Sequence, residues 1–133
     1  MRKYDPSLGA MPLGSHGKYQ EKFFEVPEAV SVAARDGLRL RRRYGRGGTE
    51  VGEARAKQLS SGKPLVTLRD IVYIRSYFQR HAVDKLWMKD PPSNGWIAWQ
   101  LWGGDAGRAW AESIYDREMS SSRRKVKRRS RSD

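Results

Sequence analysis

Apolar positions recur at helical spacing along most of the chain. Val30, Ala34 and Leu38 repeat at i, i+4 and i+8, with Ala33, Gly37 and Leu40 beside them. This predicts helix 1 from Pro27, whose missing N–H suits a first helical position. Gly45, Gly47 and Gly48 end it. Thr49 is the expected N-cap of helix 2, with Glu50 and Glu53 in its first turn and a thin apolar face of Val51, Ala54 and Leu59. Gly62 fits the C′ position, and Pro64 stops the helix. Thr67 caps helix 3, with Asp70 three residues on as a short capping box. Leu68, Ile71, Ile74, Phe78 and Ala82 are expected to face inward. Val72, Tyr73 and Tyr77 make a strand the competing reading, but spacing and length favour helix.

Residues 86–94 read as a linker, because Pro91-Pro92 forbids regular helix. Ser93 or Asn94 opens helix 4, Gly103-Gly104 closes it, and Asp105 caps helix 5, which runs to about Met119. Helices 4 and 5 then form a tight αα-hairpin. This hairpin holds four of the five tryptophans, Trp96, Trp99, Trp102 and Trp110. Each buried aromatic removes about 150–250 Å² from water, so the block is expected to be core. Ile97 and Leu101 form one line on helix 4, Trp99 and Trp102 another. Ala106, Ala109, Trp110 and Ile114 continue on helix 5.

The ends lack such patterning. No period is sustained over residues 1–26, so 1–20 is expected to be a flexible arm that Phe23 and Phe24 dock onto the domain. Residues 120–133 hold one apolar side chain, Val126, too little to offset ordering entropy, and are expected to be disordered when unbound. The expected fold is thus all-α: a small bundle of about five helices over 21–119, with a C-terminal αα-hairpin, a flexible N-terminal arm and a disordered basic C-terminal tail.

Charge changes this picture most. The 133 residues carry a net +12, and such a chain seeks polyanions. Residues 120–133 hold seven Lys/Arg against one Asp, so half of the net charge, +6, lies there. Arg123, Arg124, Lys125, Lys127, Arg128, Arg129 and Arg131 are therefore candidate phosphate contacts. Seven such contacts give a log–log salt slope of at most about −6 on duplex DNA. The second candidate is helix 1, where Arg35, Arg39, Arg42 and Arg46 share one side, flanked by Arg41 and Arg43. The alternative is a solvated face paired to acids of the same domain. Neither set reads sequence, because phosphate contacts position without specifying.

Other motifs are weaker. Gly45-Arg-Gly-Gly-Thr ahead of helix 2 resembles an anion cradle but lacks the Gly-Lys-Ser/Thr of a Walker loop. Helices 2 and 3 have the size of a helix-turn-helix, from which Arg69, Tyr73, Arg75 and Arg80 can reach DNA. The tryptophans can stack bases, although their helical spacing points to core. His81 and Asp84 stand one turn apart, but a metal site needs three or four ligands and no third has convincing spacing. His81 reads instead as a helix-terminal histidine stabilised by the dipole or packed on tryptophan. No cofactor, metal site or catalytic constellation is expected. The chain lacks cysteine, a secretory h-region and any apolar run of about 20 residues, which points to an intracellular or particle-packaged protein with no membrane partner.

Three blocks carry a resemblance: Gly45-Arg-Gly-Gly-Thr-Glu-Val-Gly-Glu-Ala-Arg-Ala56, Phe78-Gln-Arg-His-Ala-Val-Asp-Lys85 and Gly95-Trp-Ile-Ala-Trp-Gln-Leu-Trp-Gly-Gly-Asp-Ala-Gly-Arg-Ala-Trp110. Together they resemble a small domain of phage-encoded proteins, cyanophage ones included, found alone or attached to head-maturation proteins. The resemblance covers about 25–118, and its third block is the most distinctive. The linker at 86–94 is shorter than the family's usual one. The resemblance implies a viral origin and no catalytic residues. The expectation is a non-enzymatic phage accessory protein in host cytoplasm or virion. It binds nucleic acid, DNA ahead of RNA, through backbone phosphates. The alternatives are a virion structural protein using arm and tail for assembly or for contact with packaged DNA, and a regulator docked on a host protein.

Overall fold

The computed structural model describes residues 22–82 and 92–131, with side chains described through Arg123. The arm at 1–20, most of the linker, His16, Asp84 and Trp87 lie outside the described residues.

Five helices carry the fold. The first, α1, spans Glu28–Tyr44, so Pro27 is its N-cap rather than its first residue. Val30, Ser31, Ala34, Gly37 and Leu40 are buried along one face, as the spacing predicts. Gly45 ends the helix in the left-handed region (φ 64°), its N–H donating to the Arg41 carbonyl. The second, α2, spans Glu50–Leu59 and is capped by Thr49, whose side chain accepts from the Gly52 N–H. Its buried face is Gly52, Arg55, Ala56, Gln58 and Leu59. Val51, expected inside, is 60% exposed, because the face that meets α1 and α4 is rotated away from it. Gly62 also moves: the C-cap is Ser60, and Gly62 turns the chain two residues later with φ 70°.

The third helix, α3, spans Leu68–His81 and opens with a full Thr67–Asp70 capping box. Ile71, Ile74 and Phe78 are buried as expected, and Tyr77 joins them. The helix α4 spans Asn94–Leu101, capped by the Ser93 side chain on the Trp96 N–H. The last helix, α5, spans Gly104–Arg131. It starts one residue before its expected cap: the first helical bond runs from the Gly107 N–H to the Gly103 carbonyl. It also passes Met119. Nothing between Ser120 and Arg131 is Gly or Pro, so no residue there breaks the helix. The helical backbone runs through Arg131.

The sequence pattern does not reveal a two-stranded antiparallel sheet. Its strands are β1 (Phe23–Glu25) and β2 (Leu65–Thr67). Phe23 pairs with Thr67, Phe24 with Val66, and Glu25 with Leu65. Strand alternation separates the two phenylalanines expected to dock together: Phe24 meets the core, whereas Phe23 is exposed.

Helix α1 touches α2, α4 and α5, while α3 lies along α5. The seam between α1 and α4 is closest at Gly37, where an added Cβ would meet the Leu101 nitrogen at 2.5 Å. The hairpin of α4 and α5 turns tightly through Trp102 and Gly103, and its helices rest mainly on different neighbours, α4 on α1 and α5 on α3.

Candidate nucleic-acid interface

The tryptophan block is core. Trp99 is fully buried, Trp102 nearly so, and Trp96 and Trp110 are partly buried. Trp102 stacks on Tyr77 at 4.6 Å between centroids, and Trp99 meets the edge of Phe78 at 4.7 Å. The Trp99 Nε1–H donates to Asp105 at 3.0 Å, so Asp105 ties α4 to the first turn of α5 instead of capping that turn. His81 lies in the last turn of α3, its ring 4.6 Å from that of Tyr77. Among the described residues no three His, Cys, Asp or Glu side chains group as metal ligands. No helix among them is long and apolar enough to cross a membrane.

Three arginines go to structural work. Arg55 is the least expected: it sits 2% exposed inside the domain, pairing with Asp70 at 2.8 Å, donating to Gln58 and lying 5.4 Å from the Trp102 ring centre. Arg75 pairs with Glu112 at 3.0 Å and lies 3.8 Å over Tyr115. Those contacts engage the guanidinium that a helix-turn-helix reading offers to DNA, and β2 interrupts the α2–α3 connection on which that reading rests. Arg69, Tyr73 and Arg80 remain exposed.

Arg41 closes the glycine-rich loop. Its Nε donates to Glu53 at 2.7 Å and its Nη1 to the Gly47 carbonyl at 2.7 Å. The loop thus presents carbonyls to an arginine, and acidic Glu50 and Glu53 occupy the first turn of α2. This arrangement disfavours an anion cradle. The glycines serve close approach: a Cβ on Gly47 would lie 2.5 Å from Ile97, and one on Gly48 2.7 Å from Leu101. Arg41 and Lys57 together hold the Glu53 carboxyl below the usual carboxylate range, through hydrogen bonds that outweigh its partial burial.

The other α1 arginines face solvent. Arg35, Arg39, Arg42 and Arg43 are exposed. Arg39 pairs with Asp36 at 2.6 Å while 62% of its side chain stays accessible. Among the described residues, Arg35, Arg42 and Arg43 form no ion pair. Arg46 lies beyond the helix end, partly buried, donating to Asn94 at 2.8 Å. Arg43 and Arg46 come together at Tyr44, their guanidinium carbons 5.6 and 5.4 Å from its ring centre. Arg123 is exposed on α5, and no interaction among the described residues joins it to this group. Arg124, Lys125, Lys127, Arg128, Arg129 and Arg131 follow on the same helical backbone. Their side chains lie outside the described set.

Compared with known proteins, the chain matches no family, no curated protein and no solved structure.

Proposed function

We propose that the chain is a phage accessory protein, acting in host cytoplasm or virion, that binds nucleic acid through backbone phosphates without catalysing a reaction. The observation that supports binding most directly is the solvent face of α1, where Arg35, Arg42 and Arg43 stand exposed and form no ion pair among the described residues. A solvated face balanced by its own domain pairs such side chains, as this chain does with Arg41, Arg55 and Arg75. The last nine residues of α5 add seven Lys/Arg. Like charges one turn apart destabilise a helix, and a phosphate backbone relieves that repulsion. The phage setting rests on the three sequence blocks.

The test is binding of labelled DNA and RNA across a salt series, with the full chain and with residues 120–133 deleted. The expected result is strong binding at low salt with little sequence preference, and a log–log slope that becomes shallower by up to about 6 on deletion. No binding at low salt overturns the reading, as does a deletion that changes neither affinity nor slope.

A further inference from the structure

The chain places an exposed aromatic ring among the arginines at the end of α1. Tyr44 is the last residue of α1 and is 39% exposed. Arg43 and Arg46 flank it at 5.6 and 5.4 Å from the ring centre. These distances are long for a guanidinium laid on a ring: Arg75 lies 3.8 Å over Tyr115, in the protein's close-packed example. The two cations therefore stand near the Tyr44 ring without sealing it. The next residue, Gly45, leaves the helix with φ 64°, and a Cβ placed on it would meet nothing within 4 Å. Open space thus adjoins the chain at the residue after Tyr44, and Arg42 lies exposed two residues before it.

We infer that Tyr44 is a base-stacking residue, and that the nucleic acid taken by the α1 arginines is single-stranded. The inference rests on the proposed phosphate binding and adds to it a choice of strand state. An exposed phenol offers a π-face to an unstacked base, and adjacent guanidiniums supply charge for the flanking phosphates. A duplex hides its base faces within its own stack, so the same ring contributes nothing there. The stacking is indifferent to base identity, because every base has a π-face. Of the described tryptophans, Trp99 and Trp102 are withdrawn into the core and Trp96 and Trp110 pack partly buried against it.

The experiment measures binding of the full chain at low salt to a labelled oligothymidylate and to a duplex of equal length. It compares unmutated protein, Tyr44→Ala and Tyr44→Phe, with circular dichroism confirming that each variant is folded. Tyr44→Ala is expected to lose roughly tenfold in single-strand affinity with duplex affinity unchanged, and Tyr44→Phe to bind like the unmutated chain. The inference is overturned if Tyr44→Ala binds the single strand as the unmutated protein does, or loses equally on both substrates. If the unmutated chain binds neither substrate, the phosphate-binding proposal fails as well.

Discussion

Arg55 and Asp70 meet at 2.8 Å with side chains 2% and 1% exposed, joining α2 to the start of α3 inside the domain. The carboxylate has three tasks. It neutralises Arg55, accepts from Gln58 and closes the capping box by accepting the Thr67 N–H at 2.9 Å. Removing one member of a buried pair leaves the other charge uncompensated. Asp70→Ala is therefore expected to destabilise the fold by about 3–5 kcal/mol in urea unfolding. Asp70→Asn preserves an acceptor for the cap but not the charge, so it is expected to cost nearly as much. An Asn variant close to the unmutated stability would show that capping, not pairing, is the main contribution.

Gly37 and Gly45 give opposite kinds of glycine dependence. At Gly37 the obstacle is the backbone of α4, with the Leu101 nitrogen 2.5 Å and the Gln100 carbonyl carbon 2.9 Å from an added Cβ. At Gly45 the space is open and only the left-handed φ resists substitution. Gly37→Ala should force the α1–α4 seam apart at a cost of about 1–3 kcal/mol, set against a gain of up to about 1 kcal/mol in helix propensity. Gly45→Ala should cost about 1–2 kcal/mol by strain alone. Thermal melts compare the two, and the near-UV dichroism of the tryptophans should change for Gly37→Ala only.

Glu53 predicts a pH dependence. Arg41 and Lys57 depress its carboxyl in the folded protein. A depressed pKa gives stability that is fully present above the unfolded-state value and lost as pH falls through the folded one. Acid titration of unfolding should therefore show a loss below the ordinary glutamate range. Glu53→Gln should flatten that part of the curve and leave neutral-to-alkaline behaviour otherwise parallel. An unchanged acid limb would remove Glu53 from the explanation.

Three helix N-caps were legible in the sequence. Thr49, Thr67 and Ser93 each cap as their side-chain chemistry predicts, because a cap is a local contact between near neighbours. Strands β1 and β2 leave no mark in the sequence because three residues are too few to establish a period, and their pairing joins positions forty or more residues apart. Arg55 is not legible as buried, because an arginine reads as solvent-facing until its partner from another element, Asp70, is known. The end of α5 was misplaced because low hydrophobicity marks a helix that leaves the core, not one that stops. At the candidate interface, periodicity found the shared face of Arg35, Arg39 and Arg42. It placed Arg41 only as a flanking residue, whose role as a clamp depends on Glu53 and the Gly47 carbonyl brought within reach by the fold. Tyr44 has no distinguishing signal in the sequence, because its exposure and its two guanidinium neighbours depend on where α1 ends.

The enclosure of the indoles has an optical consequence. Trp99 lies wholly out of water, with Trp102 nearly so, and the candidate interface displays a tyrosine instead. The emission of Trp99 and Trp102 therefore starts blue-shifted and moves red as the core opens. A ligand seated on the α1 arginines lies outside that core. The same cuvette can follow unfolding through the indoles and occupancy through a dye on the oligonucleotide, with little crosstalk between the two channels.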